Sequence, residues 1–314
     1  WRARINMVRY VLTGYFSASA EAIDVRRRLF EHVARELEAS ELQQEDDPLE
    51  FSEEDIIGGL IESKLSQPVF GYYTKNGIET ALQKYGFLDS LRSLGFEAIR
   101  MEGDTSDTQR QRLKLYGRKR GFENAGEFLL MELVAGRRSM KGPATMGNLD
   151  VLYVEWLLLQ DPTRGFDFQR PQLPGQEHPG LGLAREMLEL LRLVCKRLDL
   201  DAIASQPANY HNALVVRDFR FVDPEAEGRF RAIRRALDRF SLVEATYAID
   251  RGRLQTREGE RLRWLPSPHF LPVSDRILEY FNSDPYENAA NRAFEAWKAK
   301  GLHADDHSAA PRPQ

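Results

Sequence analysis

The chain has 314 residues and a single cysteine, Cys195. One thiol excludes an internal disulfide and a cysteine-clustered zinc site, and it fits a reducing compartment. Long apolar runs are missing too. The longest, Val151 to Leu159, is interrupted by Glu155 and is too short to span a bilayer. Charge of one sign is not in excess: 44 Lys+Arg stand against 48 Asp+Glu, a net charge of −4. That balance removes any whole-chain reason to expect a nucleic-acid partner. No repeat, low-complexity block or secretory signal is visible, and the chain opens Trp1-Arg2-Ala3-Arg4 without an initiator Met. A cytoplasmic protein is therefore the default expectation, with no membrane partner. With 42% hydrophobic and 29% charged residues, the composition excludes a disordered chain or a collagen-like fibre.

What is present is uneven. Ten carboxylates and no basic residue lie between Glu36 and Asp55, so the rest of the chain carries +6. This acidic run reads as a solvated linker, with a protein-partner site as the other option. Between Gln109 and Arg120 there are six basic residues and no acid. Leu113 and Leu115 alternate with Arg112, Lys114 and Tyr116, which predicts a half-exposed strand and turn; a phosphate-binding role is the second reading.

The order of elements follows from periodicity and punctuation. Residues 1 to 35 carry helical spacing. Ser52 with Asp55 forms a capping-box pattern that opens a helix ended by Pro68. Ile78 to Leu94 predicts a second helix stopping at Gly95. The period then shortens. Phe96–Met101, Arg112–Tyr116, Phe128–Ala135 and Leu149–Leu159, separated by Gly-rich turns, predict a four-stranded antiparallel meander. A proline-rich segment, residues 161 to 179, leads into Gly180-Leu181-Gly182. It is either a rigid rim to a ligand cleft or an edge connection that blocks strand pairing. In the next helix Leu183, Met187, Leu191, Val194, Cys195 and Leu198 share one face, which makes Cys195 a core residue. Asp201–Ser205 and Phe219–Val222 read as strands around a short helix, Asn209–Val216. Asp223-Pro224 opens a helix, Leu242 to Trp264 reads as strands, and Asp284-Pro285 opens a last helix ended by Gly301. Residues 302 to 314 form a tail.

The chemically informative unit is strand, Gly-containing loop, helix, strand, short helix, strand between Leu149 and Val222. Two glycines opening a helix present backbone N–H groups to an anion, with the helix dipole behind them, although glycine also simply permits tight entry to a helix. In its element order and in Glu177-His178-Pro179-Gly180-Leu181-Gly182 this stretch resembles the GNAT (Gcn5-related N-acetyltransferase) superfamily. That family runs an antiparallel meander into a pyrophosphate loop of pattern Arg/Gln-x-x-Gly-x-Gly/Ala. Its following helix, strand, Asn-led helix and strand also match, with Asn209 twelve residues before Phe221. The resemblance spans residues 96 to 249. It departs from the family at Glu177 (Arg or Gln in the family), at Pro179, which removes a backbone donor, and at Val216, where many members carry a Tyr that protonates the leaving thiolate. Arg220 replaces the Gly before Phe221, and about twenty residues separate the fourth strand from Gly180 unless residues 166 to 173 form that strand.

The resemblance implies an α+β fold: a GNAT-like mixed, mostly antiparallel sheet flanked by helices, spanning 96–250. A helical N-terminal region (1–95), a strand/helix extension (251–301) and the tail (302–314) complete it. It also implies acyl transfer from acetyl-CoA or another acyl-CoA to an amine acceptor, small molecule or peptide, or else a GNAT-like module that has lost catalysis. His178, Gly180, Leu181, Gly182, Leu183 and Asn209 would contact the cofactor. Asn209 has an alternative role as a helix N-cap. Glu155, the lone charged residue of the apolar run Val151 to Leu159, is the candidate base; the alternative is a solvent-facing or Arg-paired carboxylate. His211 is the second catalytic candidate. His178 and His211 lie thirty-three residues apart and make no metal-spacing motif, so no metal is expected.

Overall fold

The computed structural model describes residues 20–44, 67–143, 146–167, 170–214 and 218–304. Among these residues, seven strands form one sheet. β1 (Phe96–Asp104), β2 (Gln111–Lys119), β3 (Phe128–Lys141) and β4 (Asn148–Leu159) make the expected antiparallel meander. β5 (Ala202–Ser205) then joins β4 in parallel, and β6 (Arg220–Phe221) and β8 (His269–Pro272) complete the order β1-β2-β3-β4-β5-β8-β6. A short separate pair is formed by β7 (Leu254–Gln255) and β9 (His303–Ala304). The class is α+β, with a mostly antiparallel sheet flanked by helices.

One face of the sheet is covered by α1 (Ala20–Glu36), α2 (Ala39–Leu42), α3 (Lys75–Lys84), α4 (Phe87–Ser93) and α5 (Ala184–Arg197). Phe30, Leu82, Phe87, Leu91, Met187 and Leu191 pack there against Leu113, Leu133, Leu152 and Ile203 in one continuous core. Burying that apolar area is the main stabilising term. Charge adds a seam between α1 and α5: Arg26 pairs with Glu186, Arg27 with Glu189 at 3.0 Å, and Glu31 with Arg192 and Lys196 at 3.2 Å each. Among the described residues, helices cover the opposite face under the β4–β6 half. There Leu149, Val151, Ala202, Ala204 and Phe270 meet Ile277, Phe281 and Tyr286, from α9 (Asp275–Asn282) and α10 (Asp284–Ala299). α6 (Tyr210–Leu214), α7 (Pro224–Ala236) and α8 (Leu242–Asp250) share a further core around Ile233, Ala248 and Ile249.

Several expectations change. The single helix over residues 78 to 94 is two, broken at Gly86, whose φ of +75° only glycine adopts freely. Gly95 ends the second with φ +87°, as a C′ glycine should. Residues 242 to 250 are helical and not strand, because Ser241 and Glu244 close a capping box around the first turn. β4 runs through Leu159, and residues 166 to 173 form no strand among those described. Within the strand/helix region of residues 251 to 301, β8 lies in the sheet between β5 and β6. The acidic run begins as packed helix: Leu37 and Leu42 are buried, and Glu41 pairs with Lys84. The helix expected over residues 52 to 68, Val216 and most of the tail lie outside the described residues.

Candidate functional site

β4 and β5 run side by side only over Val151–Tyr153, opposite Ala202–Ala204. β5 ends at Ser205 while β4 continues to Leu159, so their pairing stops after Tyr153 towards the C-terminal ends of the strands, the end of an open sheet at which ligands are commonly held. The parting coincides with a bulge. Val134 pairs with Trp156 and Ala135 with Val154, leaving Glu155 as the extra residue on β4.

At the end of β4 the chain turns at Asp161, a buried residue whose N–H donates to the Pro179 carbonyl at 2.7 Å. The Asp161 carboxylate accepts from the Thr163 N–H and hydroxyl (3.1 and 2.5 Å) and pairs with Arg164 at 3.1 Å. The proline-rich segment folds on itself between these points. Leu173 is buried, and its N–H donates to the Gln176 side chain at 3.2 Å while Gln172 donates to the Gln176 carbonyl. The long connection therefore brings Gly180 back beside the end of β4.

Leu181 and Leu183 are buried in the main core, while Gly182, with φ +80°, is exposed between them. The side chains anchor the turn, and the exposed backbone faces outward at the start of α5. Leu183 sits at the N-cap and makes no side-chain cap hydrogen bond, and Glu186 stands in the first turn, where its carboxylate complements the helix dipole. Glu177 is exposed and His178 half-buried on the approach to this turn.

The other sequence candidates lie elsewhere. Glu155 is only 5% exposed, with one oxygen accepting from Arg110 Nε at 2.8 Å and the other from Arg138 at 3.3 Å. It stands six residues before Asp161, about 20 Å along the strand. Asn209 directly precedes α6, and its carbonyl accepts the Asn212 N–H at 3.1 Å. It also lines a polar pocket of about 480 Å³ with Asp250, Arg251, Arg261 and Arg263. His211 is buried in α6 with Nδ1 lacking a hydrogen-bond partner, and burial pushes its pKa down to about 3. A neutral imidazole enclosed in this way is not placed to exchange protons with a bound substrate. Cys195 is a core residue as expected, its thiol pushed up to about 12 by burial.

Two groups went unread in the sequence. His269, at the start of β8, is buried and stacks on Phe221 with ring centroids 4.4 Å apart; burial drives it down to about 3. Asp201, at the start of β5, accepts from the Asp150 N–H (2.9 Å), Ser274 (2.8 Å) and Arg276, partners that outweigh its burial and lower its pKa. No local signal marks either residue, since both roles depend on strands joined across the sheet. Among the described residues, no cluster of three or more His, Cys, Asp or Glu is arranged to hold a metal, and no helix is long and apolar enough to cross a membrane. Comparison with known proteins finds no matching family model, no matching curated protein and no matching solved structure.

Proposed function

We propose that the chain is a GNAT-like N-acyltransferase that moves an acyl group from acetyl-CoA or a longer acyl-CoA to an amine, a small molecule or a peptide. The observation that carries this reading is that β4 runs on past its short parallel pairing with β5 and that the connection after it returns to the end of β4, where Asp161 bonds Pro179 just before the start of α5. Around it the elements follow the order of the resemblance: antiparallel meander, Gly-containing loop, helix, strand, short helix, strand. The loop's chemistry supports an anion in two respects. Gly182, exposed with φ +80°, lets a ligand approach the backbone closely, and the α5 dipole favours negative charge, while Gly180 beside it is buried. Glu177 and Pro179 oppose it, one by its charge and the other by lacking an N–H. In this reading Gly180, Leu181, Gly182 and Leu183 hold the pyrophosphate of the CoA.

Acyl transfer forms a C–N bond, breaks a C–S bond and requires a group to take the proton released by the amine. Glu155, at the bulge where the strands part, is the candidate. Its two guanidinium partners favour a second reading: a GNAT-like module that binds a ligand and has lost catalysis. Titration calorimetry with acetyl-CoA and with longer acyl-CoA tests both. Saturable binding is expected, and its absence at millimolar concentration would sink the acyltransferase reading. Binding without turnover against an amine panel would select the second reading. Replacement Glu155→Gln is expected to reduce turnover by about 10²–10⁴-fold if this carboxylate is the base, and full turnover in that variant would remove it.

A further inference from the structure

The main core is not fully packed. Between α1–α3, α5 and the sheet lies an apolar cavity of about 100 Å³, bounded by Leu37, Phe70, Leu113, Met131, Met187 and Leu191 among others. Interiors normally pack without such space, and an empty apolar void destabilises in proportion to its volume. Its size is about two-thirds of an engineered 150 Å³ cavity that takes up benzene, which suits a chain of roughly four to six carbons.

One end of the cavity is polar. Arg197, at the last residue of α5, lines both this cavity and an outer pocket of about 420 Å³ that also contains Arg35, Lys196 and Glu31. Ala34 and Leu193 border both spaces too, so the two are neighbours across Arg197. Arg197 uses Nη2 to donate to the Ala34 and Leu37 carbonyls at 3.0 and 3.2 Å; its guanidinium has three more N–H donors on Nε and Nη1. Tyr73 and Tyr85 line the cavity and both feel the Arg197 charge. The one carboxylate bordering the outer pocket, Glu31, is already engaged by Arg192 and Lys196. Chamber and mouth together are amphipathic: an apolar space for a short chain, lined in part by two tyrosines, with the Arg197 guanidinium where it meets the outer pocket.

We propose that this chamber is a binding site for a short aliphatic carboxylate, its chain among the core side chains and its carboxylate on Arg197 with Tyr73 or Tyr85. The site is separate from the Gly180 turn, because Arg197 is at the opposite end of the fourteen-residue α5, about 20 Å away along the helix. The inference does not depend on the acyltransferase reading.

Thermal unfolding and calorimetry of the full chain with hexanoate, hexanol and hexylamine test it. Hexanoate is expected to raise the unfolding midpoint and to bind about tenfold or more tighter than hexanol, the difference one charge-assisted contact makes. Hexylamine is expected to bind more weakly than either. Ala81→Leu, which fills the chamber from α3, should hold or raise the midpoint of the free protein and abolish the hexanoate response. Leu133→Phe fills it from the sheet and reads the same outcome if Ala81→Leu does not fold. Arg197→Gln should remove the preference for hexanoate over hexanol. The site is overturned if no probe shifts the midpoint, if hexylamine binds as well as hexanoate, or if both filling variants respond like the parent. Displacement of hexanoate by acetyl-CoA would place it at the Gly180 turn and overturn the proposal equally.

Discussion

The two halves of the sheet handle charge in opposite ways. In the meander, titratable groups sit half-exposed and in pairs: Arg112 and Lys114 of β2 face Glu132 of β3 at 3.6 and 3.8 Å, and Arg138 lies over the Tyr153 ring at 4.3 Å. In the β5–β8–β6 half, helices cover both faces. All four residues of β5 are buried, and the histidines of α6 and β8 are enclosed in neutral form. A sheet with one watered face can keep its charges at little cost, whereas one buried on both sides must be apolar, hold its ionisable groups uncharged, or pair them closely as Asp201 is paired with Arg276. The second half is therefore where acid and cavity-forming changes should tell most.

Acid should show the contrast most strongly. His211 and His269 have folded pKa values near 3, well below the unfolded 6.5. Their contribution to stability is present above pH 6.5 and is lost as pH falls towards 3, because only the unfolded chain takes up the protons. Each histidine contributes about 1.4 kcal/mol per pH unit across that window. Urea midpoints measured at successive pH values should fall steeply from pH 6.5, and His269→Leu should remove one proton from the slope; an unchanged slope would refute its burial as a neutral base. Next in size is Ile203→Ala, which empties a fully buried site in β5 and should cost about 2–5 kcal/mol in urea unfolding. Gly228 of α7 follows. A Cβ there would meet the Ala290 carbonyl of α10 at 2.3 Å, so Gly228→Ala should cost about 1–3 kcal/mol by the same measurement. The smallest effect belongs to the meander: Arg112→Ala should cost less than about 1 kcal/mol and should matter less still in high salt. A larger loss at Arg112 than at Ile203 would reverse the comparison.

How much of this was legible depends on the range of the interaction. The meander was readable because Leu113 and Leu115 alternate with charged residues within one strand. α10 was readable because Asp284-Pro285 is a local start and Gly301, with φ +65°, follows its end. α8 was misread although its capping box, Ser241 and Glu244, is local: the apolar residues after it matched a strand pattern as well as a helix. The Gly180 turn was legible as a candidate anion site, but its place beside β4 was not. That place is set by a backbone hydrogen bond, Asp161 to Pro179, across eighteen residues and by the burial of Leu181 and Leu183 in the main core. The partners of Glu155 were equally hidden, since Arg110 and Arg138 reach it from outside its own strand.

The sequence by itself determined the class of fold, the run of strands in the meander, the amphipathic α5 with Cys195 inside, and the two glycines at its start. These rest on periods of 2 and 3.6 residues and on single-residue backbone preferences, which act within a few positions. Tertiary structure alone decided that β8 enters between β5 and β6, that β4 and β5 part at Glu155, that two histidines are sealed in neutral form, and that an apolar chamber opens towards Arg197. Each of these arises from residues far apart in the chain whose meeting is set by how the layers pack, and no local pattern encodes which distant side chain completes a site.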